Sequence, residues 1–334
     1  MSALPRVREW LADRGRFEFV LTVAVVIALT AAIGALLLLP RTGLRTVPAV
    51  ASPGTAPPAH ADPQVNDLRR VMSSYGPVVA QQVSGDDGRL SVVLGHPYQR
   101  GDVDQLAREV GPAVTAVSQV WGFDWAHEAV VTIASNSSEF AALTHATGPV
   151  SGEVAAASVA DPFVPGTEPT GQRIVFAADA GHRLGPDGLR ETLRHELTHI
   201  AARARTVDGS PQWVLEGFAE YCGHRGDQHS FSQVAPTVTT RARAGRLPAD
   251  LPADNAFVPA PGGDAALAYE QAWSANAFIA DRFGESELVA LYRRVATGPQ
   301  DEAALDRGLH DTLGLGRAEF LAGWQEWIKT RAAA

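Results

Sequence analysis

An α+β fold, with a small mixed sheet first and a mostly helical second half, is what this sequence predicts. Three patterns predict it. Short β-branched runs at 90–94, 129–133, 154–160 and 173–178 have the length and composition of strands. Apolar residues recur at helical spacing over 103–120 and repeatedly after residue 186. Ahead of both, residues 19–39 form an uncharged apolar run that predicts a transmembrane helix.

The N-terminal run has 21 positions, which at about 1.5 Å per residue span roughly 30 Å, the thickness of a bilayer core. Arg6, Arg8, Arg14 and Arg16 precede it, and Arg41 and Arg45 follow. This bias places residues 1–18 in the cytoplasm and the rest outside, as a single-pass protein of the cell membrane. A cleaved signal peptide is the rival reading, because 49–51 and 59–61 have the small-x-small look of cleavage sites. The run is longer than the usual apolar core of such a leader, which favours an uncleaved anchor. Residues 40–64 are dominated by Pro, Ala, Thr and Gly and read as an extended tether. The folded domain is expected at 65–334.

Within that domain, the runs at 90–94 and 129–133 flank a helix whose Leu106, Val110, Val114 and Val117 share one side. Asn136-Ser137-Ser138 reads as a turn. The runs at 154–160 and 173–178 read as two strands joined by a Pro/Gly loop, and both are candidate edge strands. A helix starts near Pro186-Asp187, where Pro suits the first turn and the acidic side chain suits the helix dipole. Leu189, Leu193, Leu197 and Ile200 fall on one stripe of it; His195 and His199 fall nearly opposite. Residues 206–211 break this helix and another begins near Gln212. Helices are further expected at 232–244, 265–283, 285–296 and 317–333, with a Pro-rich loop over 245–263 long enough to line a cleft.

Composition narrows the functional classes. With 46% hydrophobic and 19% charged residues the chain has ample material for a core, so disorder is not the default. A net charge of −9 argues against a general nucleic-acid binder, which needs a basic face. The single cysteine, Cys222, allows no intramolecular disulfide and no Cys-based zinc site.

The informative motif is His195-Glu196-Leu197-Thr198-His199. Residues i and i+4 of a helix lie one above the other, so two imidazoles can reach one ion. Glu216, in Trp213-Val214-Leu215-Glu216-Gly217-Phe218-Ala219, would be the third protein ligand. Two neutral His and one carboxylate suit a catalytic Zn2+, one per chain, with a fourth position left to water. Glu196, beside the metal rather than on it, would serve as general base.

These residues resemble the gluzincin metallopeptidases, in particular the peptidase MA-like branch, with the zinc aminopeptidases as better-known relatives. In those families a Trp-x-x-Glu-Gly-x-Ala helix follows the His-Glu-x-x-His helix and its Glu binds zinc. Trp213, Glu216, Gly217 and Ala219 match that pattern. The resemblance implies a zincin-like catalytic domain, hydrolysing peptides or proteins outside the cytoplasm. Tyr269-Glu270-Gln271-Ala272 is similar to the aminopeptidase Tyr-Glu-Lys-Gly, whose Tyr donates to the tetrahedral oxyanion; core packing is the alternative for Tyr269. Two features depart from the family. The segment of 16 residues between His199 and Glu216 is shorter than in the aminopeptidases. No Gly-x-Met-Glu-Asn strand precedes His195, so exopeptidase specificity does not carry over. An endopeptidase-like cleft that pairs an extended peptide with an edge strand is the more economical expectation.

Neighbouring residues read less sharply. Glu220 is a solvated helix charge or a support to a ligand His. His224 and His229 sit in a Gly-rich setting that reads as loop. Two other functions stay open: an extracytoplasmic zinc-containing binding or sensory module without turnover, and a zinc hydrolase of a non-peptide amide.

Overall fold

β1 (Val79–Ser84) and β2 (Leu90–Gly95) form an antiparallel pair, with Val79 opposite Gly95. These coordinates come from a computed structural model that describes residues 62–333 apart from 86–87, 149–150, 153 and 259–263. The apolar run at 19–39, its flank at 1–18 and nearly all of the tether at 40–64 lie outside the described residues. Among the described residues no helix is long and apolar enough to cross a membrane.

From β2 the chain crosses over through helix α2 (Arg100–Trp121) to β3 (Val130–Ile133), which runs parallel to β2. Helix α3 (Ser137–Thr144) and β4 (Ala156–Val159) intervene before β5 (Arg173–Phe176), which lies parallel to β3 and antiparallel to β4. The sheet order is β1-β2-β3-β5-β4, a small mixed sheet of the kind the β-branched runs predicted. β4 is an edge strand, but β5 is interior. All four β5 residues are buried: Ile174, Val175 and Phe176 are an apolar run enclosed on both faces, and Arg173 donates from Nε to Leu143 O at 2.7 Å.

Alternation of side chains divides the core between the two faces of the sheet. Val93, Val131, Ile133, Ile174 and Phe176 join the main core with α2 and the later helices. Val92, Leu94 and Val175 face a smaller cluster with Val65, Leu68 and Met72 of α1 (Pro63–Ser73) and Phe140 and Leu143 of α3. α1 begins where the Asp62 side chain accepts from Gln64 N at 2.9 Å, with Pro63 at the first helical position. The expected turn at Asn136 is instead the start of α3: Asn136 Oδ1 accepts from Ser138 N at 2.9 Å and Glu139 N at 3.0 Å. Asn favours turns and helix N-caps for the same hydrogen-bonding reason, which hides this helix in the sequence.

Helix α4 (Ala180–Ala202) carries the His-Glu-x-x-His motif. Gly185, at φ 64° and ψ −177°, is non-helical and separates a first turn from the main helix, which restarts at Pro186 as expected. Leu189, Leu193, Leu197 and Ile200 are all buried in the main core, so the apolar stripe faces as predicted. α5 (Gln212–His224) follows, then α6 (Phe231–Val234), α7 (Pro236–Arg243), α8 (Ala265–Phe283), α9 (Glu285–Val295), α10 (Glu302–Leu313) and α11 (Arg317–Ala333). The single helix expected over 232–244 is two, because Pro236 forces Ala235 out of helical geometry (φ −125°, ψ 64°).

Candidate metal centre

Two helices build the centre, and their approach is set by what joins them. A short 3-10 turn at Arg203–Arg205 ends α4. The Thr206 hydroxyl then donates to Ala202 O at 3.0 Å and meets Tyr292 Oη at 2.8 Å. Val207 N donates to Ala296 O at 3.0 Å, and Ser210 Oγ accepts from Gly298 N at 2.9 Å. The connector is thus tied to α9 and to the residues just after it, and it returns the chain as α5, antiparallel to α4. Glycines let the helices close up. A Cβ at Gly223 would sit 3.0 Å from Glu191 O on α4. One at Gly217 would overlap the Asn276 amide nitrogen and Ala272 O on α8. Glycine follows Glu216 because α5 is wedged there between neighbours.

This geometry brings the three expected ligands together. His195 Nε2 and His199 Nε2 lie 3.1 Å apart. Glu216 Oε2 lies 3.4 Å from His195 Nε2 and 3.7 Å from His199 Nε2. Donors about 2.0–2.2 Å from one tetrahedral ion are separated from each other by roughly 3.3–3.6 Å. The observed trio brackets that spacing, and its two nitrogens and one carboxylate oxygen are a donor set that zinc accepts. The residues present therefore fit the ion.

Charge in the centre points the same way. Burial would favour neutral His195, but Glu216 and Glu220 outweigh it and hold its pKa well above the usual imidazole value. Burial would raise Glu216, yet His199 and His195 hold it far below the ordinary carboxylate range. Carboxylates set around these imidazoles favour positive charge at this point, which a proton or a divalent ion would supply.

Glu196 and Tyr269 share a cleft with this trio. The cleft, of about 470 Å³, is lined among others by His195, Glu196, Glu220, Phe257 and Tyr269. Glu196 is buried, with 7% of its surface exposed. Tyr269, near the start of α8, packs edge-on against Phe257 with ring centroids 5.2 Å apart. Burial and the carboxylates of Glu216, Glu220 and Glu196 raise its pKa, so the phenol keeps its proton. Phe257 comes from the Pro-rich loop, which lines the cleft as its length suggested. Val154, Ala155 and Ala156, at the start of edge strand β4, form another part of the wall.

Beyond the expected ligands the two helices carry a polar ladder. Glu191, His195 and His199 stand at i, i+4 and i+8 on α4; Glu216, Glu220 and His224 stand at the same steps on α5. Glu220 Oε1 is 3.2 Å from His195 Nδ1, and Glu220 Oε2 is 3.4 Å from His224 Nε2. Burial opposes the Glu220 charge, but His195 and His224 hold its pKa down at about 2. Glu220 therefore faces two histidines and is not a free solvated helix charge. Glu191 Oε2 lies 3.6 Å from His224 Nδ1, and Glu191 Oε1 lies 3.3 Å from His229 Nδ1. Glu191 went unremarked in the sequence. Stepping four residues back from His195 and four on from Glu220 finds both ends of the ladder.

No family model and no curated protein matches the chain. Solved structures do. An M1 zinc metallopeptidase from Deinococcus radiodurans is 15% identical, with a TM-score of 0.38, covering 77% of this chain and 53% of that one. A mutant of that enzyme is 15% identical over the same shares, with a TM-score of 0.40. The mutant bound to a Tyr-Ser-Ala substrate is 15% identical, with a TM-score of 0.38, covering 77% of this chain and 52% of that one. The chain spans about half the length of these structures.

Proposed function

We propose that this chain is a zinc-dependent peptidase of the gluzincin type, held at the membrane by residues 19–39 with the domain at 65–334 outside the cytoplasm. One observation carries the catalytic part: His195, His199 and Glu216 place their donor atoms 3.1–3.7 Å apart, beside a buried Glu196 in an open cleft. The anchoring part rests on the apolar run alone.

A bound zinc supplies Lewis-acid polarisation of the scissile carbonyl and a nucleophile at neutral pH. The chain's own residues do the rest. His195, His199 and Glu216 would hold the ion, with Glu220 orienting the His195 ring through Nδ1. Glu196 accepts the proton of the attacking water and passes it to the leaving nitrogen. Tyr269 donates its phenolic hydrogen to the oxygen on which charge develops. An extended substrate pairs with the open edge of β4, whose first residues border the cleft. That mode needs no free α-amine, in keeping with an endopeptidase.

The test is metal analysis with a peptide-cleavage screen on the wild type and Glu196→Gln. The expected result is that wild type cleaves internal bonds and Glu196→Gln retains its metal but loses turnover by at least about a hundredfold. Full turnover in Glu196→Gln, or cleavage of cell-wall amides and no peptide, would sink it. Membrane fractionation of the full chain tests the anchor separately.

A further inference from the structure

The outer end of the ladder is built for a ligand that the peptidase reading does not use. Glu191 on α4, His224 at the last turn of α5, and Asp227 and His229 just beyond it bring one donor atom each within 4.8 Å of one another. Gly226, at φ 80°, turns the chain after α5 and so brings Asp227 and His229 back against α4. Three donor atoms here, Glu191 Oε1, His224 Nδ1 and Asp227 Oδ2, are buried and make no hydrogen bond; Glu191 and the two histidines meet only as close charge contacts, at 3.3 and 3.6 Å. Buried polar groups are nearly always partnered, and a missing ion is one of the few explanations for several orphans in one place.

Asp227 makes the case sharper. Its side chain is nine-tenths buried. Arg190 and Arg194 both approach Oδ1, each at 3.5 Å, while Oδ2 is buried without a hydrogen bond. The arginines therefore hold the carboxylate through one oxygen and leave the other free to accept. His224 is set up in the same manner. Its Nε2 faces Glu220 at 3.4 Å, which fixes the ring and leaves Nδ1 toward Glu191. A metal-binding histidine characteristically gives its other nitrogen to a carboxylate in this way.

We propose that Glu191, His224, Asp227 and His229 form a second divalent-metal site, adjoining the His195–His199–Glu216 centre and joined to it by Glu220. Two imidazole nitrogens and two carboxylate oxygens select a borderline transition ion such as Zn2+ over Mg2+ or Ca2+, which prefer all-oxygen sets. Glu220 spans the two centres: one oxygen faces His195 and the other His224. Glu191 and His224 also line the cleft, so the second ion borders the space where substrate would lie. The site is read from its own side chains and stands whether or not the chain is a peptidase.

The experiment is zinc stoichiometry of the full chain after metal-free preparation, Zn2+ loading and removal of excess, paired with Co2+ absorption spectra. The two centres are separated by His199→Ala, which opens the first alone, and His229→Ala, which opens the second at its more exposed ligand. Expected are two zinc ions in the wild type, one in either variant and none retained in the double variant. The Co2+ spectrum remaining in His199→Ala should disappear on adding His229→Ala. A wild-type stoichiometry of one that falls to zero in His199→Ala and is untouched by His229→Ala overturns the proposal. So does a Co2+ spectrum of His199→Ala that His229→Ala leaves unchanged. Loss of the first centre in every preparation, with one ion that depends on His229, overturns the peptidase reading and leaves the second site standing.

Discussion

Glu220 Oε1 lies 3.2 Å from His195 Nδ1, on the side of the ring opposite the nitrogen that joins His199 and Glu216. The carboxylate sets both the tautomer and the angle of the His195 imidazole. Its removal by Glu220→Ala should lower zinc affinity at the first centre by about 10–100-fold, the usual effect of losing such a support. Competition against a chromophoric chelator measures this, with far-ultraviolet circular dichroism to check that the helices persist. Unchanged affinity would mean that His195 is held by packing alone.

Gly217 and Ala272 make a different kind of contact, backbone against backbone. A methyl group at 217 would overlap Ala272 O and the Asn276 amide nitrogen, which itself donates to Trp213 O at 3.1 Å and Ala272 O at 2.9 Å. A helical backbone cannot swing aside as a side chain can. Gly217→Ala should therefore destabilise the metal-free protein by about 1–3 kcal/mol, despite the better helix propensity of alanine. Chemical denaturation reads the loss. A gain in stability would show that α5 and α8 separate more easily than their packing implies.

The same contact explains part of what could be read from the sequence. The two histidines, Glu216 and the apolar back of α4 follow periodicities of three and four residues, which a linear pattern displays directly. The strands at 90–94 and 129–133 were legible because their β-branched runs are short and bounded. Other elements were not. β1 (Val79–Ser84) has a mostly exposed pattern on a sheet edge, so its sequence VAQQVS carries little apolar signal. α10 hides behind Gly308 and polar residues that interrupt its apolar stripe, and its start depends on the Asp301 side chain accepting from Ala304 N at 2.7 Å. Asp227 and His229 lie outside any helix, and only the turn at Gly226 delivers them to Glu191. Sequence spacing has no term for such a return.

Tyr269 offers a direct test of the cleft's chemistry. Tyr269→Phe keeps the ring and its edge-on packing against Phe257 while deleting one hydroxyl. If that hydroxyl donates to the developing oxyanion, kcat should fall by about 10²–10³-fold with KM little changed. Zinc content should stay as in the wild type, since the phenol is no part of the ligand set. A variant with wild-type kcat would return Tyr269 to the core-packing role that its neighbours also permit.

Near the end of α8 opposite Tyr269, Asp281 ties the last helix to α8. Its Oδ2 accepts from Trp327 Nε1 at 2.7 Å and from Arg331 Nη2 at 2.8 Å. Trp327 in turn packs edge-on against Phe231, with centroids 5.5 Å apart. The Trp327 hydrogen bond, then that of Arg331, lowers the Asp281 pKa below its ordinary 3.8. A depressed folded-state value means stability that is present in full above the unfolded pKa and is lost as pH falls through the folded one. The carboxylate is about half exposed, so solvent screening limits the contribution to roughly 0.5–1 kcal/mol. Asp281→Asn should thus lower the melting temperature of chelator-treated protein at about pH 7, and the gap to wild type should narrow toward about pH 3 as the wild-type carboxylate takes up its proton. A gap of constant size across that range would assign the effect to hydrogen-bond geometry, with no part played by the charge.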